Sequence, residues 1–332
     1  MMSSRYLIVG AITAVAGFLG PVAVAQDAGW VLPRTPWGDP DLQGVWTNET
    51  ITPFERPAHQ EDKTVLSEDE AAAIETGVAQ RRIASDGTSP PGTVGGYNQV
   101  WLDSGTRFLS TRQTSLVVDP PNGRVPTRPS AEEKRDYNRA RQGDSYEYMS
   151  VWDRCISRGV PGSIFPAGYN NAYRILQTPH HVAILYEMIH DARIIPLRSG
   201  GHVDEEIRLW MGDSRGRWEG DTLVVEVRNF TDKGWIASNS ASRRIKGIPQ
   251  TEDLLVVERF RRVSADTIEY EVTVEDPPIY TRPWKIAMPL TRDPGYDLYE
   301  YACHEGNRAV ELILGGARAS ERAATETARE VP

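Results

Sequence analysis

The segment WMGDSRGRWEGDTLVVEVRNF, residues 210–230, decides between two fold classes. Its residues 212–216 read G-x-S-x-G, which in α/β-hydrolases marks a serine nucleophile between a strand and a helix. In this chain a second Gly-Asp turn signal follows directly, and residues 222–230 then have the composition of a strand. No helix has room to begin after Ser214. We therefore predict a β-turn at residues 213–216, a second turn at Gly220, and a strand of an antiparallel sheet.

Short runs of branched and aromatic residues, separated by turn signals, recur on both sides of this segment. They predict strands at residues 114–119, 124–126, 173–177, 182–188, 192–197, 207–211, 254–263, 267–274, 284–290 and 298–303. Long helices do not alternate with them, which argues against a doubly wound parallel sheet. We predict a mainly β protein with a lipocalin-like antiparallel barrel, and a β-sandwich is the alternative.

The segments outside the strands predict a periphery. Residues 26–60 are rich in proline and tryptophan and predict an extended arm with a short strand at residues 42–46. Ser67 and Glu70 form a capping box that opens a helix to residue 84. Further helices are expected at residues 130–142 and 305–324. The predicted organisation is a signal peptide (1–25), an arm and helix that wrap the core (26–105), a barrel core (106–304), and a C-terminal helix and tail (305–332).

The N-terminus has the layout of a secretory signal. Arg5 precedes an apolar run at residues 7–19, and Ala23-Val24-Ala25 forms an A-x-A cleavage site. This predicts a periplasmic or secreted protein, cleaved near Ala25. The apolar run is too short for a membrane span, and none is predicted elsewhere.

Charge and motif content exclude several classes of partner. The chain has 37 basic and 46 acidic side chains and a net charge of −9, which disfavours nucleic acid. Gly-rich nucleotide-binding patterns are missing, and the six histidines lack H-x-H and H-E-x-x-H spacings. We therefore predict no cofactor and no metal ion. The partner expected is a small molecule, and oligomer formation stays open.

Cys155 and Cys303 are the only cysteines. In an exported chain they predict a disulfide that ties the beginning of the strand region to its end. The alternative is a reactive thiol at Cys303, next to His304.

The segment YEMIHDAR, residues 186–193, has the strongest catalytic pattern. Strict alternation would place Glu187, Asp191 and Arg193 on one face of a hairpin, and Tyr186 and His190 on the other. An ion pair of Glu187 with Arg193 is the structural interpretation. The functional one is acid–base catalysis by Glu187 or His190, oriented by Arg193 or by Asp191.

Polar and aromatic residues near the strand ends predict a substrate site at the mouth of the barrel. These candidates are Tyr169, Asn171, Tyr173, Tyr186, His181 and Trp218. Each also has a structural interpretation in turns, strand edges or, for Trp218, the end of the core.

Four segments together carry a family resemblance. They are Tyr169-Asn170-Asn171, IHDARIIPL at 189–197, GDSRGRWEGDTLVVE at 212–226 and DPPIYTRPW at 276–284. The chain resembles, over about residues 30–320, a large family of exported bacterial proteins. The resemblance implies export and carries no activity with it. Relatives have a histidine-containing segment before the LxVVERF strand, and Ile-Pro-Gln-Thr at 248–251 stands there in this chain.

Three functions remain open. The first is a cofactor-independent lyase or isomerase that uses acid–base side chains on a small hydrophobic or aromatic molecule. The second is a lipocalin-like carrier without catalysis. The third is a serine hydrolase built on Ser214.

Overall fold

Hairpins that follow one another in sequence form most of a ten-stranded sheet. The computed structural model describes residues 29–85, 102–197, 200–292 and 294–330, and the expected signal peptide lies outside these residues. The strands are β1 (Gly44–Thr47), β2 (Val117–Asp119), β3 (Ala172–Gln177), β4 (His181–Tyr186), β5 (Ala192–Pro196), β6 (Asp213–Glu219), β7 (Thr222–Arg228), β8 (Leu255–Ser264), β9 (Thr267–Glu275) and β10 (Trp284–Arg292). The helices are α1 (Glu68–Ser85), α2 (Pro129–Ala140) and α3 (Ala309–Glu330).

Nine strands form a nearly closed antiparallel barrel, as the strand pattern predicts. Their order is β5-β4-β3-β1-β10-β9-β8-β7-β6, and β2 adds to β10 outside this path. The two end strands meet at Gly216 of β6, where a Cβ atom would lie 2.8 Å from the side chains of both Ile195 and Leu197. Because glycine has no side chain, β5 and β6 can approach each other here, which narrows the gap between the two end strands (the seam of the barrel).

The N-terminal arm supplies a strand of the barrel. β1 pairs antiparallel with β3 on one side and with β10 on the other, so it joins the first and last strands of the meander. The side chain of Gln177 fixes the residues that precede β1, because it accepts a hydrogen bond from the Leu42 amide (2.6 Å) and donates one to the Pro40 carbonyl (3.0 Å). Leu42 and Trp46 are fully buried as a result.

The predicted turn at residues 213–216 is wrong, because these residues begin β6. They pair with β7 across a two-residue turn at Gly220 and Asp221, so the second predicted turn is the one that forms. Gly220 has a φ of +60°, which favours glycine. The strand predicted just before, at 207–211, is also wrong. Only an isolated bridge from Leu209 to Phe230 forms there.

Two further predicted strands do not form. Residues 124–126 make no hairpin with β2, because side chains take up their backbone amides: Asn122 accepts from Arg124, and Glu55 accepts from Val125. Residues 298–303 have neither helix nor strand, and they lead into a turn that begins at Cys303.

The predicted helices and the disulfide are confirmed. Ser67 and Glu70 form the capping box of α1, with amide-to-side-chain distances of 3.2 and 2.8 Å. Cys155 and Cys303 are joined, with their Cα atoms 5.6 Å apart. α3 begins four residues later than predicted. No helix within the described ranges is both long and apolar enough to cross a bilayer.

Candidate active site

A charged pair lies inside the barrel. Arg193 of β5 is 3% exposed and Glu258 of β8 is 0% exposed, and Arg193 Nη2 donates to Glu258 Oε2 at 2.5 Å. Arg193 Nε donates to Ser214 Oγ (2.8 Å), and the Tyr270 hydroxyl donates to Glu258 Oε1 (2.9 Å). Burial by itself lowers the pKa of Arg193, but the charges and hydrogen bonds of Glu258 and Tyr186 together outweigh it, so the pKa lies above its ordinary value.

The predicted pairing of Glu187 with Arg193 is therefore wrong. β4 ends at Tyr186, and Glu187 has helical dihedral angles (φ −64°, ψ −46°). The alternation on which the prediction depended stops one residue before Glu187. Tyr186 and Arg193, which were expected on opposite faces, both belong to the buried side of the barrel.

The two predicted binding tyrosines of this hairpin point into the same interior. Tyr173 and Tyr186 are cross-strand partners with ring centroids 6.3 Å apart. Burial raises the pKa of Tyr186 to about 12. Large side chains fill the space around them, so a ligand inside the barrel would have to displace core residues. The largest are Trp46, Phe260, Tyr270 and Trp284.

Ser214 is positioned as a hydrogen-bond acceptor. It is 5% exposed in β6, and its hydroxyl accepts from Arg193 Nε inside the barrel. The adjacent Asp213 accepts from the His202 ring at 2.9 Å, which looks like part of a catalytic triad. Strand alternation, however, turns Asp213 to the opposite face from Ser214. The histidine that would activate the serine is therefore on the wrong side of the sheet.

Glu187 has the geometry of a functional carboxyl. It is 2% exposed, and its carboxylate accepts from Asn170 Nδ2 (2.9 Å) and from the Tyr296 hydroxyl (2.8 and 3.0 Å to its two oxygens). Desolvation raises the pKa of Glu187, and the hydrogen bonds from Tyr296 and Asn170 offset this only in part. Perturbed carboxyls of this kind concentrate at active sites.

The backbone around Glu187 has unusual conformations. Asn170, Ile189 and His190 have φ values of 54°, 66° and 44°, a region that non-glycine residues seldom adopt. Each such residue costs about 1–3 kcal/mol, and strain of this kind clusters at functional sites. The exposed His190 ring donates from Nδ1 to the Tyr301 carbonyl at 2.7 Å. In the neutral ring this leaves the lone pair on Nε2.

Residues 294–303 form a roof over Glu187. Tyr296 reaches the carboxylate directly, His190 holds Tyr301, and the disulfide anchors the end at Cys303. Tyr296 was not among the predicted site residues. The tyrosine-rich run YDLYEY at 296–301 is the signal that marks it, but we assigned most of that run to a strand.

A cavity of about 540 Å³ lies beside this roof. The predicted residue Tyr169, next to the Asn170 that binds Glu187, lines this cavity, and so does Tyr301 of the roof. The two rings stack with centroids 6.2 Å apart. The site therefore combines a buried carboxyl with an adjacent aromatic cavity.

The other predicted binding residues lie apart from this cavity. Asn171 is buried, and its side chain accepts from the Ala167 amide (2.7 Å) and donates to Asp103 (2.8 Å), which shapes the turn before β3. His181 is exposed at the first residue of β4, so the length of the strand separates it from Glu187. Trp218 is partly buried against the core near the end of β6.

A second cavity, of about 410 Å³, is lined by Arg244 and Glu132. Arg244 is fully engaged there, because it also donates to Glu55, Thr127 and the Val125 carbonyl. We assign this network to holding the arm against α2. Within the described part of the chain, no group of three or more His, Cys, Asp and Glu side chains is arranged to hold a metal ion.

Fold and site together define an antiparallel β-barrel protein with a buried carboxyl and an aromatic cavity at one end. Comparison of the chain with protein-family models, with curated proteins and with solved structures finds no match.

Proposed function

We propose that this protein is an exported enzyme, a lyase or isomerase that works without a bound cofactor and transfers a proton through Glu187. The observation that carries the proposal is the buried Glu187 carboxyl, with a raised pKa and a hydrogen bond from Tyr296. A carboxyl whose pKa lies closer to neutral takes up and returns a proton more effectively than an ordinary one. Elimination and isomerisation both need such a group next to an acidic C–H bond.

The neighbouring residues have supporting roles. Asn170 and Tyr296 orient the carboxylate from two sides, and the Tyr296 hydroxyl can also donate a hydrogen bond to an oxygen of the substrate. The roof at residues 294–303 excludes water from Glu187. A substrate reaches the carboxylate when the Tyr296 hydroxyl moves away, and neither a helix nor a strand restrains that segment.

Export is supported by the secretory pattern before Ala25, by the resemblance to exported proteins and by the Cys155–Cys303 disulfide. Disulfides persist in oxidising compartments outside the cytosol.

The rival functions have less support. A carrier with its ligand inside the barrel would compete with side chains such as Trp46 and Tyr270 for the same space. A hydrolase built on Ser214 would need a base on the inner face, where Arg193 occupies the hydroxyl.

The test is deuterium exchange, which reports proton abstraction without knowledge of the natural reaction. The protein is incubated in D2O with a panel of alkyl aryl ketones and arylacetic esters, which have acidic C–H bonds next to a carbonyl group, and exchange at carbon is followed by proton NMR. We expect wild-type protein to exchange at least one class of C–H bond. The Glu187→Gln variant should be slower by about a hundredfold or more.

Two controls make this result specific. Tyr296→Phe should lower the rate less than Glu187→Gln, because the carboxylate remains. Glu311→Gln, at an exposed position on α3 far along the chain, should leave the rate unchanged. An unchanged rate in Glu187→Gln would overturn the assignment of Glu187. Binding of panel members by the wild type without any exchange would favour the carrier.

A further inference from the structure

The cavity beside the roof has walls of aromatic rings and carboxylates, and we propose that it binds an organic cation, an ammonium group with apolar substituents. This extends the proposed function by naming the substrate class. It rests on that function only for the statement that the bound molecule reacts.

Three rings supply the apolar walls. The Trp152 and Tyr169 centroids lie 6.0 Å apart, and those of Tyr169 and Tyr301 lie 6.2 Å apart, so the three rings form a continuous surface along the cavity. The face of an aromatic ring carries partial negative charge and attracts a cation that lies above it. Quaternary ammonium groups are recognised in this way because they bury methyl groups and charge together.

The charges that line the cavity have one sign. Asp153, Glu300 and Glu305 contribute to its wall, and none of the residues that line it in the described part of the chain is lysine or arginine. An anionic ligand would be repelled by these three carboxylates. A neutral aromatic ligand would use the rings but would gain nothing from the acids. An organic cation uses both.

The walls are held in place before a ligand arrives. The Cys155–Cys303 disulfide anchors one side, and the His190 ring holds the Tyr301 backbone. Asn307 donates to the Asp153 carbonyl at 3.3 Å and so joins the segment before α3 to the opposite wall. Preorganised walls lose little side-chain entropy on binding, which favours affinity.

The experiment compares choline with 3,3-dimethylbutan-1-ol, which has nearly the same shape but no charge. Titrations with full-length protein are followed by tryptophan fluorescence and by calorimetry at low ionic strength. We expect choline to bind about tenfold more tightly than the neutral alcohol, since several rings and acids act together. Added salt should weaken choline binding only, because it screens the carboxylates.

Variants locate the site. Tyr169→Leu removes a ring face and should abolish most of the preference for choline, whereas Tyr169→Phe keeps the face and should retain it. Tyr137→Leu, at an exposed tyrosine of α2 that does not line the cavity, should bind choline like the wild type. Circular dichroism verifies that each variant is folded.

Equal affinity for the two probes, or no choline binding by folded wild-type protein, would overturn the proposal. So would full retention of the preference in Tyr169→Leu. The Glu187→Gln variant separates this proposal from the proposed function, because Glu187 does not line the cavity and the variant should still bind choline. If Glu187→Gln loses deuterium exchange but still binds choline, both proposals are supported. If the wild-type protein binds choline but exchanges no C–H bond, the proposed enzyme function is refuted and the proposed cation site is not.

Discussion

Removal of one partner of the Arg193–Glu258 pair should destabilise the protein severely, whereas removal of both should cost much less than the two single losses together. Arg193→Met leaves the fully buried Glu258 carboxylate with a hydrogen bond from the Tyr270 hydroxyl but without a positive charge beside it. Glu258→Leu leaves the guanidinium in the same interior. An uncompensated charge of this kind costs about 3–5 kcal/mol.

The double variant differs because no charge remains inside the barrel. Its cost comes from two buried hydroxyls, Ser214 and Tyr270, which each lose a partner that the structure gives them. Each orphaned hydroxyl costs about 1–2 kcal/mol, so the double variant should lose about 2–4 kcal/mol. The coupling free energy between Arg193 and Glu258 should therefore be at least about 2 kcal/mol.

Urea unfolding with the disulfide intact, followed by tryptophan fluorescence, measures these free energies. With a slope of about 3 kcal/mol per molar urea, each single variant should lower the midpoint by about 1–1.7 M. Arg217→Met removes a surface pair with Glu219, in which both side chains are at least 40% exposed, and should change stability by less than about 1 kcal/mol. The reasoning fails if Arg193→Met costs as little as Arg217→Met, or if the two single costs simply add.

Two further predictions concern the seam and the carboxyl. Gly216→Ala places a methyl group 2.8 Å from Ile195 and should cost about 1–3 kcal/mol in urea unfolding, whereas Gly168→Ala, with open space around it, should cost far less. Equal costs would show that the seam is not tightly packed. The folded-state pKa of Glu187 lies above its ordinary value, so the folded protein binds this proton more tightly than the unfolded chain and loses stability as pH rises between the two pKa values. The glutamine of the Glu187→Gln variant does not titrate, so the stability of this variant relative to the wild type should improve as pH rises above about 4. A pH-independent difference between the two unfolding free energies would contradict the raised pKa.

The barrel strands are predictable from the sequence where one face is buried and the other is wet. β9 alternates over its whole length and β8 alternates as far as Arg262, and the burial of Val256, Phe260, Tyr270 and Val272 follows that alternation. The failures have a different origin. Residues 207–211 and 298–303 have the composition of strands, but neither segment pairs as a strand, and partners for pairing depend on tertiary structure that local composition does not contain.

The candidate site was predictable in part. Glu187 was identified because a carboxyl inside an apolar hairpin needs solvent or a partner. Tyr169 was identified because a phenol at the mouth of a barrel can bind the polar end of a ligand. The partner of Glu187 was not identified. Tyr296 is 109 residues away, and its contact depends on how the segment after β10 returns over the end of the barrel. No local pattern encodes such a return.

The hairpin at 186–193 carries two charged residues, Glu187 and Arg193, that lie close in sequence but have different surroundings in the structure. Tyr186 ends β4 facing the interior, and the left-handed residues Ile189 and His190 that follow turn the chain within three residues. Arg193 then re-enters the sheet, where Glu258 neutralises its charge, and its hydrogen bond to Ser214 joins β5 to β6 across the seam. Glu187 follows the last residue of β4 and lies at the end of the barrel, where its hydrogen bonds come from the uncharged side chains of Asn170 and Tyr296. A carboxylate paired with arginine would have a lowered pKa and would be a weaker base near neutral pH. The turn that separates Glu187 from Arg193 is therefore the feature on which the proposed acid–base role of Glu187 depends.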